Sequence, residues 1–252
     1  MIYGLTPVQA AQKIVGNLAK IEVNALLQLG IEVLKRQNDG TFLIKMGQHT
    51  FTTKSETALE PGREYWVEMQ QSKEGIVHLK RPMPKPLLFK AVNHTAFEPG
   101  FLERLAREED PASALKEQLL QALAAAPSKE QFQTLTQLLL SLHQGILSIP
   151  LRKSGKKMLL QMRKRGQNGS LNQKSVEFYA AMNNIGPLSG TIVQRGHQKD
   201  LRLELHYPKS VRLLKERSAF LKGFENVDIG LAPAPVKPFW ETEQPGLLDI
   251  KG

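Results

Sequence analysis

The sequence predicts an α+β protein, mainly β: a small antiparallel β-barrel of the OB or SH3-like kind, a helical connector, and a C-terminal domain of ββαβ type. Three observations carry this reading. Between residues 29 and 82 five short apolar runs are separated by turn residues, the spacing of a small closed barrel. Between residues 83 and 148 leucines recur at helical intervals. From Val176 to Leu231 the apolar period runs from two to 3.6 and back to two, a small sheet with one helix laid across it. The division that follows is an N-terminal helix (1–28), the barrel (29–82), the connector (83–148), the C-terminal domain (149–232) and a proline-rich tail (233–252).

Each element has a local cause. Thr6-Pro7, followed by Val8, Ala11, Ile14, Val15 and Leu18, reads as an amphipathic helix with Thr6 as N-cap and Pro7 at its first position. Ile31 to Leu34 and Thr41 to Met46 flank Asn38-Asp39-Gly40, and Asp-Gly between apolar runs is a hairpin signal. Gly47-Gln48 turns into His49 to Lys54. Pro61-Gly62 precedes Tyr65 to Met69, and Ser72 to Gly75 turns into Ile76 to Lys80. Arg81 to Pro86 carries three prolines and reads as a stiff, extended linker and the first domain boundary.

Beyond it, Pro99 to Arg107 gives a short helix. Asp110-Pro111 opens a second with Leu115, Leu119, Leu120 and Leu123 on one face, and Ser128 with Gln131 fits a capping box for a third. Ile149-Pro150-Leu151 marks the next boundary. The run Leu151 to Lys174 holds eight basic residues and no acid, with Met158 to Met162 a possible strand inside it. Val176, Phe178, Ala180 and Met182 alternate with Glu177, Tyr179 and Asn183. Gly186-Pro187 breaks that run before the apolar piece Leu188 to Val193. A polar turn at Gly196 to Asp200 then leads to Leu201, Leu203, Leu205 and Tyr207, so a hairpin is the simplest reading. Pro208 ends that strand, a helix follows from Lys209, Gly223 sits where a C-cap glycine belongs, and Val227, Ile229 and Leu231 alternate again. In the tail, Phe239-Trp240 is either a tether onto the domain or an exposed binding peptide.

Composition bounds the function. At 252 residues, 41% hydrophobic and 23% charged, the chain is ordinary for a globular protein and long enough for a well-buried core. It has no cysteine, which excludes disulfides and thiolate zinc sites and agrees with a reducing compartment. The first twenty residues lack the basic start and apolar core of a secretory signal, and no apolar run approaches the roughly 20 residues of a membrane span. The expected location is the cytoplasm. The net charge of +10 points to an acidic partner, either nucleic acid or an acidic protein face. The six histidines have no metal-ligand spacing, and Walker, GxGxxG and GxSxG motifs are missing. The expectation is a non-enzyme without cofactor.

The stretch Val176 to Leu231 resembles the C-terminal core domain of bacterial flagellar hook-length control proteins. The matching positions are Phe178-Tyr179, Ile185-Gly186-Pro187-Leu188, Leu201-Arg202-Leu203-Glu204-Leu205, Leu213-Leu214, Leu221, and Gly223 with Val227. The barrel stretch Leu59 to Glu68 is similar to the small barrel that precedes this domain in some relatives. The resemblance implies a flagellar assembly factor whose C-terminal domain docks on the cytosolic domain of the export-gate membrane protein and influences substrate switching. It makes hook proteins further candidate partners, and export through the flagellar apparatus without a cleaved signal an alternative location. It implies a docking surface with Phe178, Tyr179, Leu203, Leu214 and Val227, flanked by the basic Arg152, Lys153, Lys156, Lys157, Arg163, Lys164 and Arg165. Such proteins usually carry a long Gln/Pro/Ser-rich ruler segment; this sequence has none, which points away from a measuring role and toward a paralogue or shortened relative.

The basic run has two other readings: a solvated face, or the nucleic-acid surface of a barrel protein. Binding of the second kind falls with salt at a log–log slope of about 0.7 to 0.9 per phosphate neutralised, and single-strand binders add an aromatic stacking platform. Aromatics make up 6% of this chain, and Phe42, Phe51, Tyr65 and Trp66 are the barrel candidates for such a platform.

Overall fold

The computed structural model describes residues 6–18, 29–71, 77–93, 95–153, 155–165 and 173–241. It is a mixed α+β, mainly β structure in two compact units: one of residues 23–85 with 183–186, which holds the barrel, and one of residues 1–22, 86–182 and 187–252.

The barrel strands are β1 (Leu29–Arg36), β2 (Phe42–Met46), β3 (His49–Ser55), β4 (Glu64–Gln71) and β5 (Val77–Pro84). They close in the order β1-β2-β3-β5-β4, with β4 pairing back to β1 and β3 parallel to β5. Alternation along the strands sends Ile31, Val33, Phe42, Ile44, Tyr65, Val67 and Leu79 into one apolar cluster. The β1–β2 turn forms because Asp39 is short enough to bind its own loop. Its Oδ1 accepts from the Thr41 amide at 3.0 Å and from the Thr41 hydroxyl at 2.6 Å, while Gly40 takes φ of 79°.

The segment expected as a proline linker is the end of β5 instead. Tyr65 pairs with Pro84 and Trp66 with the buried Met83. Prolines fit here because β3 pairs with β5 at Lys54/His78 and Ser55/Leu79. Beyond that point β5 pairs along β4 alone, and a missing N–H on the outer side costs no ladder bond. Arg81, at φ of 49°, accompanies the register shift in the β4–β5 pair.

The second unit holds α1 (Pro7–Leu18), α2 (Pro99–Leu105), α3 (Pro111–Ala124), α4 (Lys129–His143) and α5 (Pro208–Glu216). Its sheet has β6 (Leu147–Lys153), β7 (Lys156–Lys164), β8 (Gln173–Met182), β9 (Gly186–Arg195), β10 (Gln198–Leu205) and β11 (Asn226–Leu231), in the order β11-β10-β9-β8-β7-β6. β11 lies parallel to β10, which requires a crossover, and α5 supplies it. The ββαβ pattern expected from the sequence is thus β9, β10, α5 and β11, extended by three further strands.

The predicted caps form. Thr6 Oγ1 accepts from the Gln9 amide and Gln9 Oε1 from the Thr6 amide, each at 3.2 Å. Asp110 accepts from the amides of Ala112 and Ser113, and Ser128 Oγ accepts from that of Gln131 at 3.2 Å. The hydrogen bonds from Ser113, side chain first, hold the Asp110 carboxyl below its ordinary value.

Helices expected as a connector pack on this sheet. α4 and α2 meet β6, the 3-10 turn Leu87–Asn93 meets β6 and β7, and α1 meets α2 and β7. Ile149-Pro150-Leu151, expected as a boundary, is the middle of β6. Pro150 is tolerated because β6 is a sheet edge, where Phe97 bridges: its amide donates to the Pro150 carbonyl at 2.9 Å and its carbonyl accepts from the Arg152 amide at 3.0 Å. Gly223 has φ of 80°, but it lies past a further 3-10 turn, Ser218–Phe220, and does not cap α5 directly.

One backbone approach at the sheet centre is close enough to test. A Cβ at Gly190 would stand 2.4 Å from Phe178 Cζ and 2.7 Å from the Arg202 carbonyl oxygen. Gly190→Ala is expected to destabilise the second unit by about 1–3 kcal/mol or more, since an overfilled core must move backbone or ring. Urea unfolding followed by circular dichroism checks this; an unchanged midpoint would show that the β9–β8 approach is looser than described.

Candidate functional site

Strand alternation assigns each candidate residue to a face. Gln161 pairs with Ser148 on one side and Tyr179 on the other, and Arg163 pairs with Glu177. Ser148, Gln161, Arg163, Glu177 and Tyr179 therefore share one face, while Met162 and Phe178 point to the other.

The tail is tied to the first of these faces. Gln161 is fully buried, and its amide group is spent on main chain: Oε1 accepts from the Phe239 amide at 2.8 Å and the Trp240 amide at 3.1 Å, and Nε2 donates to the Trp240 carbonyl at 2.8 Å. The Arg163 guanidinium stacks over the Phe239 ring at 4.2 Å. Val236 is buried, and Glu241 Oε1 accepts from the Leu87 amide at 3.2 Å, at the start of the 3-10 turn. Burial in the first place, and the Glu241 carboxylate in the second, push the Tyr179 phenol well above its usual pKa. Of the two readings of Phe239-Trp240, the structure shows a tether.

The tail's proline content follows from its route. Leu231 ends β11, and β7 lies four strand spacings away, about 19 Å. The eight residues from Leu231 to Phe239 span about 25 Å when extended like polyproline, so an extended segment is long enough to cross. Pro233, Pro235 and Pro238 favour that extension and remove three amides that would otherwise need partners.

The basic run does not form one patch. Arg152, Lys153, Lys156 and Lys157 flank the β6–β7 turn, whereas Arg163, Lys164 and Arg165 sit at the other end of β7. Six residues of strand, about 20 Å, separate Lys157 from Arg163. Several of these charges are already engaged. Arg152 donates to the carbonyls of Val92 and Asn93, and Lys157 to Asn93 Oδ1. Glu177 lies 2.8 Å from Arg163 and 3.6 Å from Arg165, a cross-strand acid that the acid-free run did not reveal. Lys153, Lys156 and Lys164 are exposed.

Of the apolar candidates, Phe178, Tyr179, Leu203 and Leu214 are buried at 1% exposure or less and form the sheet's own core. They hold the fold and offer no surface. Val227, on the edge strand β11, is half-exposed. The residue that sequence reasoning missed is Gln161; its only signal was a lone amide inside the apolar stretch Met158 to Met162. Among the described residues no three His, Asp or Glu side chains gather as metal ligands, and no helix is long and apolar enough to cross a membrane.

Gln161→Leu strips the tail of three hydrogen bonds and leaves main-chain groups facing an apolar side chain. The expected result is a loss of about 1–3 kcal/mol and faster chymotryptic cleavage beside Phe239 and Trp240. Cleavage at the rate of the unsubstituted chain would show that Gln161 does not hold the tail.

Comparison with known protein families, curated proteins and solved structures finds no match to this chain.

Proposed function

We propose that the protein is a non-enzymatic flagellar assembly factor resembling hook-length control proteins, which docks on the cytosolic domain of the export-gate membrane protein and influences substrate switching. The observation that carries the reading is the succession of elements along the C-terminal stretch. An aromatic-bearing strand, β8, leads through the turn at Ile185 into the β9–β10 hairpin, then to the leucine-bearing α5, the step at Gly223 and the last strand β11. These are the positions on which the resemblance rests. The candidate docking positions that reach solvent are Lys153 and Lys156 beside the β6–β7 turn, Arg163, Lys164 and Arg165 at the other end of β7, and the half-exposed Val227 on β11; Phe178, Tyr179, Leu203 and Leu214 lie in the core.

A second reading, nucleic-acid binding, is favoured by the barrel. Its strand order, with β5 between β3 and β4 and parallel to β3, is that of an OB-fold rather than an SH3-like barrel. The aromatic side chains argue for protein instead. Phe42, Tyr65 and Trp66 are buried and Phe51 packs against the core, so none of the four is a stacking base for nucleotides. The split of the basic run into two ends of β7 also removes the continuous stripe that a phosphate backbone follows.

Deleting the gene in its source organism and measuring hooks by electron microscopy tests the first reading. Abnormally long hooks without filaments are expected; hooks of normal length with normal motility would sink it. A salt titration against generic single strands tests the second, which predicts steep loss of binding as salt rises.

A further inference from the structure

We propose that the sheet face over β6, β7 and β8 is a binding seat for an extended peptide, held shut in this chain by its own residues Val236–Glu241. The occupant it fits is a partner segment with two adjacent aromatic residues followed by a carboxylate.

Three features of the seat lead there. The first is that Gln161 reads main chain and nothing else: its three hydrogen bonds go to two amides and one carbonyl. A glutamine used this way offers one rung of a β-ladder to any extended segment that lies across it, whatever that segment's sequence. The second is that selectivity resides in two positions at the rim, one a cationic side chain and one a main-chain amide donor. Arg163 stacks on the first aromatic ring, and the Leu87 amide at the start of the 3-10 turn receives the carboxylate.

The third feature is that the resident tail fits imperfectly. Ser148 Oγ, on the same face beside Gln161, is buried without a hydrogen-bond partner, as is Trp240 Nε1. A buried polar atom left unpaired costs free energy that a better-matched segment recovers. The tail itself is half-exposed from Pro238 to Glu241 and belongs to no strand or helix. It is therefore the kind of element that opens locally, well before the sheet does. Its hold in place owes much to the tether, because a short covalent link gives a cis segment an effective concentration on the order of millimolar. The inference goes beyond the flagellar reading and does not depend on it, since it rests on the geometry of this sheet face alone.

The test uses the full chain carrying Phe239→Ala, which removes the ring from Arg163 and weakens the strap without touching the seat. A fluorescent synthetic peptide with the sequence of residues 233–241 is titrated against it and followed by anisotropy. Saturable binding is expected, at least about tenfold tighter than to the unsubstituted chain, whose own tail competes in cis. Adding Gln161→Leu to the Phe239→Ala chain should abolish it. Binding that is absent up to millimolar peptide, or that survives Gln161→Leu, overturns the proposal.

If Phe239→Ala does not fold, the unsubstituted chain labelled with 5-fluorotryptophan gives the same answer. Of its two tryptophan resonances, only that of Trp240 should shift as unlabelled peptide displaces the strap, and no shift at millimolar peptide counts against the seat. A dimer of the unsubstituted chain that Gln161→Leu dissociates would assign the seat to a second copy's tail and overturn the assignment to a partner peptide.

Discussion

Strands β7 and β8 are buried on both faces, and much else in the second unit is a consequence. Leu159, Leu160, Gln161 and Met162 are consecutive and buried, as are Phe178 to Met182. A strand with successive residues buried cannot leave either side of the sheet to water, so both faces must be covered by other parts of the chain. The cover comes from far away in sequence. α1 from one end of the chain packs against β7, the 3-10 turn Leu87–Asn93 lies against β6 and β7, and Val236–Glu241 closes over Gln161 from the other end. Gln161 ties the last of these to the sheet, because an amide taken out of water must find partners. Here it finds them in the backbone of the tail.

The same two-sided burial changes what the charged and aromatic residues can do. A run of eight cationic residues in sequence suggests a single electropositive surface. Folded into the β6–β7 hairpin and the start of β8 it becomes two clusters at opposite strand ends, with Glu177 arriving from β8 between Arg163 and Arg165. Exposed pairs of this kind add little stability, roughly 0–1 kcal/mol each, and their main effect is to neutralise charge that would otherwise attract phosphates. The exposed Lys153, Lys156 and Lys164 stand at the two ends of β7 and form no continuous stripe.

Local structure was legible wherever a residue acts on its own neighbours. Asp39-Gly40, Thr6-Pro7, Asp110-Pro111 and Ser128 with Gln131 each determine a turn or a cap through bonds spanning at most a few residues, and each forms. The five barrel strands and the β9–β10–α5–β11 succession followed from apolar periodicity. Prolines misled where tertiary pairing decides. Pro82, Pro84 and Pro150 mark breaks in a sequence, yet each lies on a stretch of strand with a side free of ladder pairing or bridged from outside. The helices from α2 to α4 gave their leucine stripes but not what they pack on, since a stripe states only that something must cover it. The tail's role depended on Gln161, 78 residues before Phe239 in the chain, and no local pattern links the two.

Val236–Glu241 completes the β7–β8 sheet face. Native-state hydrogen exchange measures it directly, through the amides of Phe239 and Trp240 that donate to Gln161. The account predicts protection of about a hundredfold or more at both, far above that of a freely exchanging segment. Exchange at the rate of an unstructured peptide, with the β7 and β8 amides still protected, would mean that the sheet face closes without the tail and would contradict it.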